Sequence, residues 1–365
     1  EQFQTRLARY VKEVQVQNRL EDDPLWLRTL LNLSLTALGL FMLFLVGAKV
    51  LMGEISPAGA VVFVAAYVLG VVAAVRLNEL KDLRMEVNVV ADRLWRYLDQ
   101  LPTVSQAVGA RFLQPLSKRL HVESVTLKGP DNRLLLDRVD LQLSAGKSYA
   151  LISLDPLEPR AFACLLPRFV EPQTGRLLFD GEDIAWGTLE SLRAETVFVS
   201  AEDGPLTGTI FDNICAGRPN VTMSQVTEVA KEARAHNFIS KLPQGYETPL
   251  SARDTLLDSG QRFRVALARA LLLNPAVLII EEPVEQLDDD TKQLIDDTYA
   301  RIRQKRTIFF LPKRLSTVRN ADEVILFRHG RVEAMGSQPA LLKESRLYQH
   351  WEYMNFHEFR HDTTP

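Results

Sequence analysis

The sequence predicts two parts, an α-helical membrane hairpin followed by an α/β domain with a largely parallel sheet. Two patterns predict them. Nearly uncharged stretches run over 29–51 and 59–75, and beyond residue 120 short β-branched runs alternate with helical patterns. A third observation concerns chemistry. Lys147 to Gly175 reads KSYALISLDPLEPRAFACLLPRFVEPQTG, a strand and a helix framing a loop that lacks the glycines and lysine of a phosphate-binding loop.

The bulk properties narrow the field. A chain of 365 residues has room for two or more domains, and a net charge of −3 gives no basic footprint, so no nucleic-acid partner is expected. Cys164 and Cys215 are the only cysteines, lie far apart and need not pair, which fits a reduced cytosolic setting for the soluble part. No initiator Met and no signal-peptide pattern opens the chain, so upstream sequence is expected.

The elements follow in order. Residues 29–51 (TLLNLSLTALGLFMLFLVGAKVL) carry only Lys49, close to the end, and GAVVFVAAYVLGVVAAV follows a break at Gly53-Glu54-Ile55-Ser56-Pro57. A membrane helix needs roughly 17–25 apolar residues, so spans at about 29–52 and 58–76 are expected; a buried helical hairpin in a soluble protein is the alternative. Arg6, Arg9, Lys12, Arg19 and Arg28 precede the pair, and Arg76, Lys81 and Arg84 follow it. The positive-inside rule then puts both flanks in the cytosol, with the lipid bilayer as a partner. Asn78 to Gln100 continues the second span as a charged helix, which makes residues 1–100 the membrane part. Pro, Gly and Ser punctuate a linker at 101–119, ahead of the α/β domain at 120–350 and a tail at 351–365. Strands are predicted at Leu120–Leu127, Leu141–Leu143, Tyr149–Ser153, Thr196–Ser200, Val277–Ile280, Thr307–Leu311 and Glu323–Phe327. Helices are predicted at Ala161–Phe169, Met223–Lys241, Gly260–Leu273 and Asp289–Gln304.

These residues carry a family resemblance that covers nearly the whole chain. Leu242-Pro-Gln-Gly-Tyr-Glu-Thr248 resembles a segment just before the signature of ABC exporters, and Ser259-Gly-Gln-Arg262 with Ala266-Leu-Ala-Arg-Ala270 resembles the signature and its helix. Leu278-Ile-Ile-Glu-Glu-Pro283 resembles the Walker B strand, with Leu287-Asp288 at the D-loop. Arg314-Leu-Ser-Thr-Val318 follows the position of the switch histidine, and Phe327-Arg-His-Gly-Arg331 and Glu333-Ala-Met-Gly336 resemble the closing strands. The hairpin is similar to the fifth and sixth membrane helices of a type I exporter half. The resemblance implies a P-loop NTPase-like, ABC-type domain with a helical subdomain. It further implies ATP and Mg2+ as cofactors and a second exporter half as partner, with a hetero-dimer favoured over a homo-dimer.

Against that pattern the nucleotide site is altered residue by residue. A working loop wraps backbone N–H groups around phosphate, neutralises it with a lysine and holds magnesium with a hydroxyl. Alignment on Arg168-Phe169 and Gly175 places Ser153, Pro156 and Glu158 at the glycines, Pro159 at the lysine and Arg160 at the magnesium hydroxyl. Proline has neither amine nor N–H. Charge-assisted hydrogen bonds contribute about 1.5–3 kcal/mol each, so losing three costs roughly 4–9 kcal/mol, or about three to six decades in affinity. Arg160 is the one residue that could grip phosphate instead, if the loop shifts by one residue; its bland reading is a surface arginine in a first helical turn.

The remaining contacts change in parallel. No aromatic stands near Lys128-Gly129 for an adenine. The position of the γ-phosphate-sensing Gln is Ala201, and the switch His position is Lys313, which offers a point charge without an imidazole's hydrogen bonding. Glu281 stands for the metal-binding Asp of Walker B and Glu282 for the catalytic carboxylate; the plain alternative is two acids at a strand end in a solvated cleft. In the signature, Asp258 replaces the Ser whose hydroxyl meets the partner's γ-phosphate, while Ser259, Gly260 and Gln261 sit at a helix N-terminus suited to anions. His236 reads as structural, and His357 and His361 as a solvated tail. The expectation is a degenerate exporter half, weakly or non-hydrolysing, that pairs with another half. The alternatives are an active ATP-driven exporter using Arg160, Glu282 and Lys313, and a non-transporting ABC-like scaffold.

Overall fold

The computed structural model describes residues 25–98, 104–200, 207–250, 256–285, 287–304 and 306–356. Ala201, His357 and His361 lie outside them. The chain divides into two units, 1–101 and 102–365.

In the first unit a helix over Leu25–Leu51 turns into one over Pro57–Leu98, so the apolar stretch and the charged segment beyond it form one continuous helix. Leu33–Leu51 is long and apolar enough to cross a membrane, while Pro57–Ala73 is shorter, at the bottom of the usual range. The two helices touch where Tyr67 donates its hydroxyl to the Leu35 carbonyl at 2.7 Å. Gly39 makes room for that ring, since a Cβ there would sit 2.9 Å from the Tyr67 hydroxyl oxygen.

Among the described residues the second unit holds twelve strands: β1 Arg119–Lys128, β2 Leu134–Ser144, β3 Ser148–Ser153, β4 Thr174–Phe179, β5 Glu182–Asp183, β6 Thr196–Ser200, β7 Gly208–Thr209, β8 Pro249–Leu250, β9 Val277–Glu281, β10 Thr307–Leu311, β11 Glu323–Arg328 and β12 Arg331–Gly336. A six-stranded sheet runs in the order β12-β11-β3-β10-β9-β6, parallel throughout except for β12. A second, antiparallel sheet has the order β2-β1-β4-β5. The central strands read as continuous apolar runs because both faces are covered. Tyr149, Leu151 and Phe309 pack toward the antiparallel sheet and the helix Leu157–Leu165, whereas Leu278, Ile280 and Phe310 pack against the helices Ser259–Leu271 and Asp289–Ile302. Helices Met223–Glu232 and His236–Ile239 complete that second core.

Three departures from the sequence reading have local causes. The helix expected from Ala161 begins at Leu157, with Pro156 at its N-cap (φ −64°, ψ −15°). Pro159 is accommodated because the first-turn amides of a helix have no intrahelical partner to lose. The continuous pattern over Met223–Lys241 breaks at Arg234, which turns left-handed (φ 56°). Strand β4 is not among the strands the sequence predicts and is held by its register with β1, Leu120 to Phe179 and Val122 to Leu177.

Register brings the chemistry to one edge. Ser200 and Leu311 both pair with Glu281, and Phe327 pairs with Ser153, so the carboxyl ends of β6, β9, β10, β3 and β11 form one row. That is the edge where open α/β sheets bind ligands.

Candidate functional site

The loop after β3 turns its hydrogen bonds inward. Asp155 donates its amide to Ser153 Oγ (3.1 Å), Leu157 donates to Asp155 Oδ1 (3.1 Å), and Glu158 donates to the Asp155 carbonyl (3.2 Å). No residue from 153 to 160 has positive φ, so the backbone lacks the curl that aims successive N–H groups at one anion. Glu158, only 4% exposed, accepts from Ser153 Oγ at 2.6 Å and from the Gly330 amide at 2.8 Å. Gly330 reaches it from the β11–β12 turn at φ 78°, a conformation that favours glycine. Asp155 is also ion-paired with Arg133, from the turn between β1 and β2, which ties this loop to the segment where an adenine-facing aromatic was sought.

At the end of β9, Glu281 is held by two side chains. Arg160 Nη1 donates to Oε1 at 2.9 Å and Ser200 Oγ donates to Oε2 at 2.9 Å. The pair joins residues 121 apart in sequence, because the first turn of the Leu157–Leu165 helix overhangs the ends of the parallel strands.

Glu282 is enclosed more tightly still, its side chain having no exposure. It accepts from the amides of Lys313 (2.8 Å) and Arg314 (3.1 Å), from Arg314 Nε (3.0 Å) and Nη2 (2.6 Å), and from Thr317 Oγ1 (2.6 Å). Arg314 also donates to Asp296 Oδ1 at 2.8 Å and to the Lys292 carbonyl at 3.2 Å, and its guanidinium lies 5.6 Å from the Tyr299 ring centre. Burial works against the charge on Arg314, but Glu282, Tyr299 and Asp296 outweigh it and hold the guanidinium above its ordinary pKa. Burial pushes the Tyr299 phenol well above its own, with Glu282 adding to the effect. A carboxylate so saturated is poorly placed to take a proton from water. Lys313 contributes its amide here, while its side chain is exposed.

The signature segment forms a separate group. Asp258 caps the Ser259–Leu271 helix in a capping box, accepting from the Gln261 amide at 2.7 Å while the Asp258 amide donates to Gln261 Oε1 at 3.2 Å. The carboxylate thus occupies the helix N-terminus that would otherwise suit a phosphate. Gly260 is buried, and a Cβ there would overlap the Thr291 methyl. Ser259 is half-buried at the first helical position. Replacing Asp258 by Ala removes the cap, and thermal unfolding is expected to show a loss of about 1 kcal/mol.

Of the residues singled out from sequence, the fold bonds Ser153 to Glu158, Arg160 to Glu281, and Lys313, through its amide, to Glu282; Pro159 is buried in the first helical turn. Sequence reasoning missed Ser200, Arg314, Thr317, Asp155 and Arg133. One signal was available: a new cation at 160 and a lengthened acid at 281 stand at two positions that, by the resemblance, meet at one metal.

Comparison with known proteins agrees with this build. Residues 161–285 match the ABC transporter family. The ATP-dependent lipid A-core flippase of Chromobacterium violaceum is 31% identical over 319 residues, covering 87% of this chain and 54% of the flippase. ABC transporter B family member 19 of Arabidopsis thaliana is 36% identical over 234 residues, 63% of this chain and 19% of that protein. The chain therefore spans about half the length of the flippase, and less of the plant protein. Among solved structures, a bacterial Atm1-family ABC exporter with ATP bound superposes with a TM-score of 0.74 at 27% identity, over 96% of this chain and 62% of the exporter. The chain belongs to the ABC transporter family, with the build of an exporter half in which membrane-type helices precede the nucleotide-binding domain.

Proposed function

We propose that this chain is a degenerate, non-hydrolysing half of an ABC exporter. It pairs with a second half whose motifs are intact, contributes its membrane helices to the pathway and lends its domain surface to the dimer. It sits in the bilayer with the nucleotide-binding domain and both flanks of the hairpin in the cytosol. One observation carries the reading. Across residues 155–159 no amide points outward for phosphate: Asp155, Leu157 and Glu158 donate within the loop, and Pro156 and Pro159 have no N–H. The family's magnesium-ATP does not fit these residues. Glu158 places a buried carboxylate beside the phosphate position, and Pro159 stands where the lysine would be.

A half whose own site is silent still serves a dimer, because catalysis in the resembling family is shared across two domains. The enclosure of Glu282 supports the same reading, since the residue aligned with the catalytic carboxylate is engaged by five donors. Isothermal titration of the full chain in detergent with magnesium-ATP is expected to give no binding heat at millimolar nucleotide. Micromolar binding would overturn the reading.

A further inference from the structure

We propose that Arg160 is the resident cation of this site, standing where a divalent metal would be held, and that it keeps such a metal off Glu281. The inference rests on the degenerate reading of the loop and goes beyond it, because it assigns the altered residues a positive task. Arg160, on the helix after β3, and Glu281, at the end of β9, approach to 2.9 Å, and in the sheet only β10 separates β3 from β9. The second oxygen of Glu281 accepts from Ser200 at 2.9 Å, so both oxygens are engaged, and the side chain is 13% exposed.

The chemistry of the pair excludes a metal on two grounds. Magnesium and manganese take oxygen ligands in an octahedral shell, whereas a guanidinium carries donors only and cannot ligate. Its charge, a few ångströms from the carboxylate, also repels a second cation. The extra methylene of Glu281 over the aspartate expected there carries the carboxylate toward a planar cation that is larger than a metal ion. The charge of Glu281 is therefore balanced from within the chain, without nucleotide and without metal.

The test is a titration of the full chain in detergent with MnCl2 alone, reading free Mn2+ by electron paramagnetic resonance. The wild type and Arg160→Lys, which keeps the charge, are expected to show no site tighter than the general surface background. Arg160→Ala and Arg160→Gln are expected to bind one Mn2+ at least tenfold more tightly than the wild type, and the double variant R160A/E281Q to lose that gain. The Gln variant retains a polar side chain at the position and so guards against a fold lost in the Ala variant. Equal Mn2+ affinity in the wild type and both neutral variants overturns the proposal, as does a gain that survives E281Q. Because no nucleotide is present, this result is separable from the calorimetry. ATP binding in EDTA would sink the non-binding reading and leave the cation assignment standing.

Discussion

Replacing Arg314 by Ala is expected to lower the unfolding free energy by about 3–5 kcal/mol, the range for removing one member of a buried ion pair. The magnitude follows from what is left behind. Glu282 would keep three donors, the amides at 313 and 314 and Thr317 Oγ1, but lose its one partner of opposite charge among the described residues while remaining wholly buried. The same change strips Asp296 and the Lys292 carbonyl of a donor, so the end of β9, the helix Asp289–Ile302 and the helix Leu315–Asn320 lose their common tie. Urea unfolding followed by tryptophan fluorescence provides the measurement. The double variant R314M/E282Q is expected to recover part of the loss, because it removes the stranded charge while the glutamine carbonyl still accepts from the amides at 313 and 314 and its NH2 can donate to Thr317 Oγ1. If R314A unfolds within about 1 kcal/mol of the wild type, the cluster is looser than described.

Gly260→Ala is expected to destabilise by about 1–3 kcal/mol, the cost of forcing a methyl into a filled space. In an ordinary helix interior the same change would stabilise by up to about 1 kcal/mol, so the sign discriminates. Thr291 has little freedom to retreat. Its amide and hydroxyl both donate to Asp288, at 2.8 and 2.7 Å, which fixes the rotamer and leaves the methyl facing Gly260. Adding Thr291→Ser removes that methyl while keeping the hydroxyl, and is expected to restore stability. A neutral or stabilising G260A would mean that the glycine is retained for something other than packing. On the present geometry, a residue that looks like part of a nucleotide-binding signature persists because two helices meet there.

The sheet was legible in the sequence because buried parallel strands announce themselves. Val277-Leu-Ile-Ile280 and Ile308-Phe-Phe-Leu311 are unbroken apolar runs of strand length, and no other element competes for them. Legibility failed where long-range pairing or a single backbone angle decides. Strand β4 exists through its ladder with β1, and the end of the Met223–Glu232 helix depends on one left-handed residue that periodicity does not register. The two prolines were read as loop residues when their positions suited a helix start. At the site, the resemblance brings positions 160 and 281 to one place, but the sequence by itself does not name the bonded partners. Arg160 with Glu281, and Glu158 with Gly330, lie 121 and 172 residues apart, and nothing local to either member names the other.

The mutual satisfaction of the loop limits what any single substitution there can do. Each member of the set is now the partner that keeps another from being stranded. Glu158→Gly would leave Ser153 Oγ and the Gly330 amide without their acceptor, and Arg160→Ser would leave Glu281 without its counter-charge. An unsatisfied buried group costs about 1–3 kcal/mol, a large share of a stability that for most domains is only about 5–15 kcal/mol. Single substitutions toward a glycine loop are therefore expected to lower stability before they create any phosphate contact. Such a loop is interlocked, so that changes toward a phosphate-binding sequence would have to come several at once to keep its polar groups partnered.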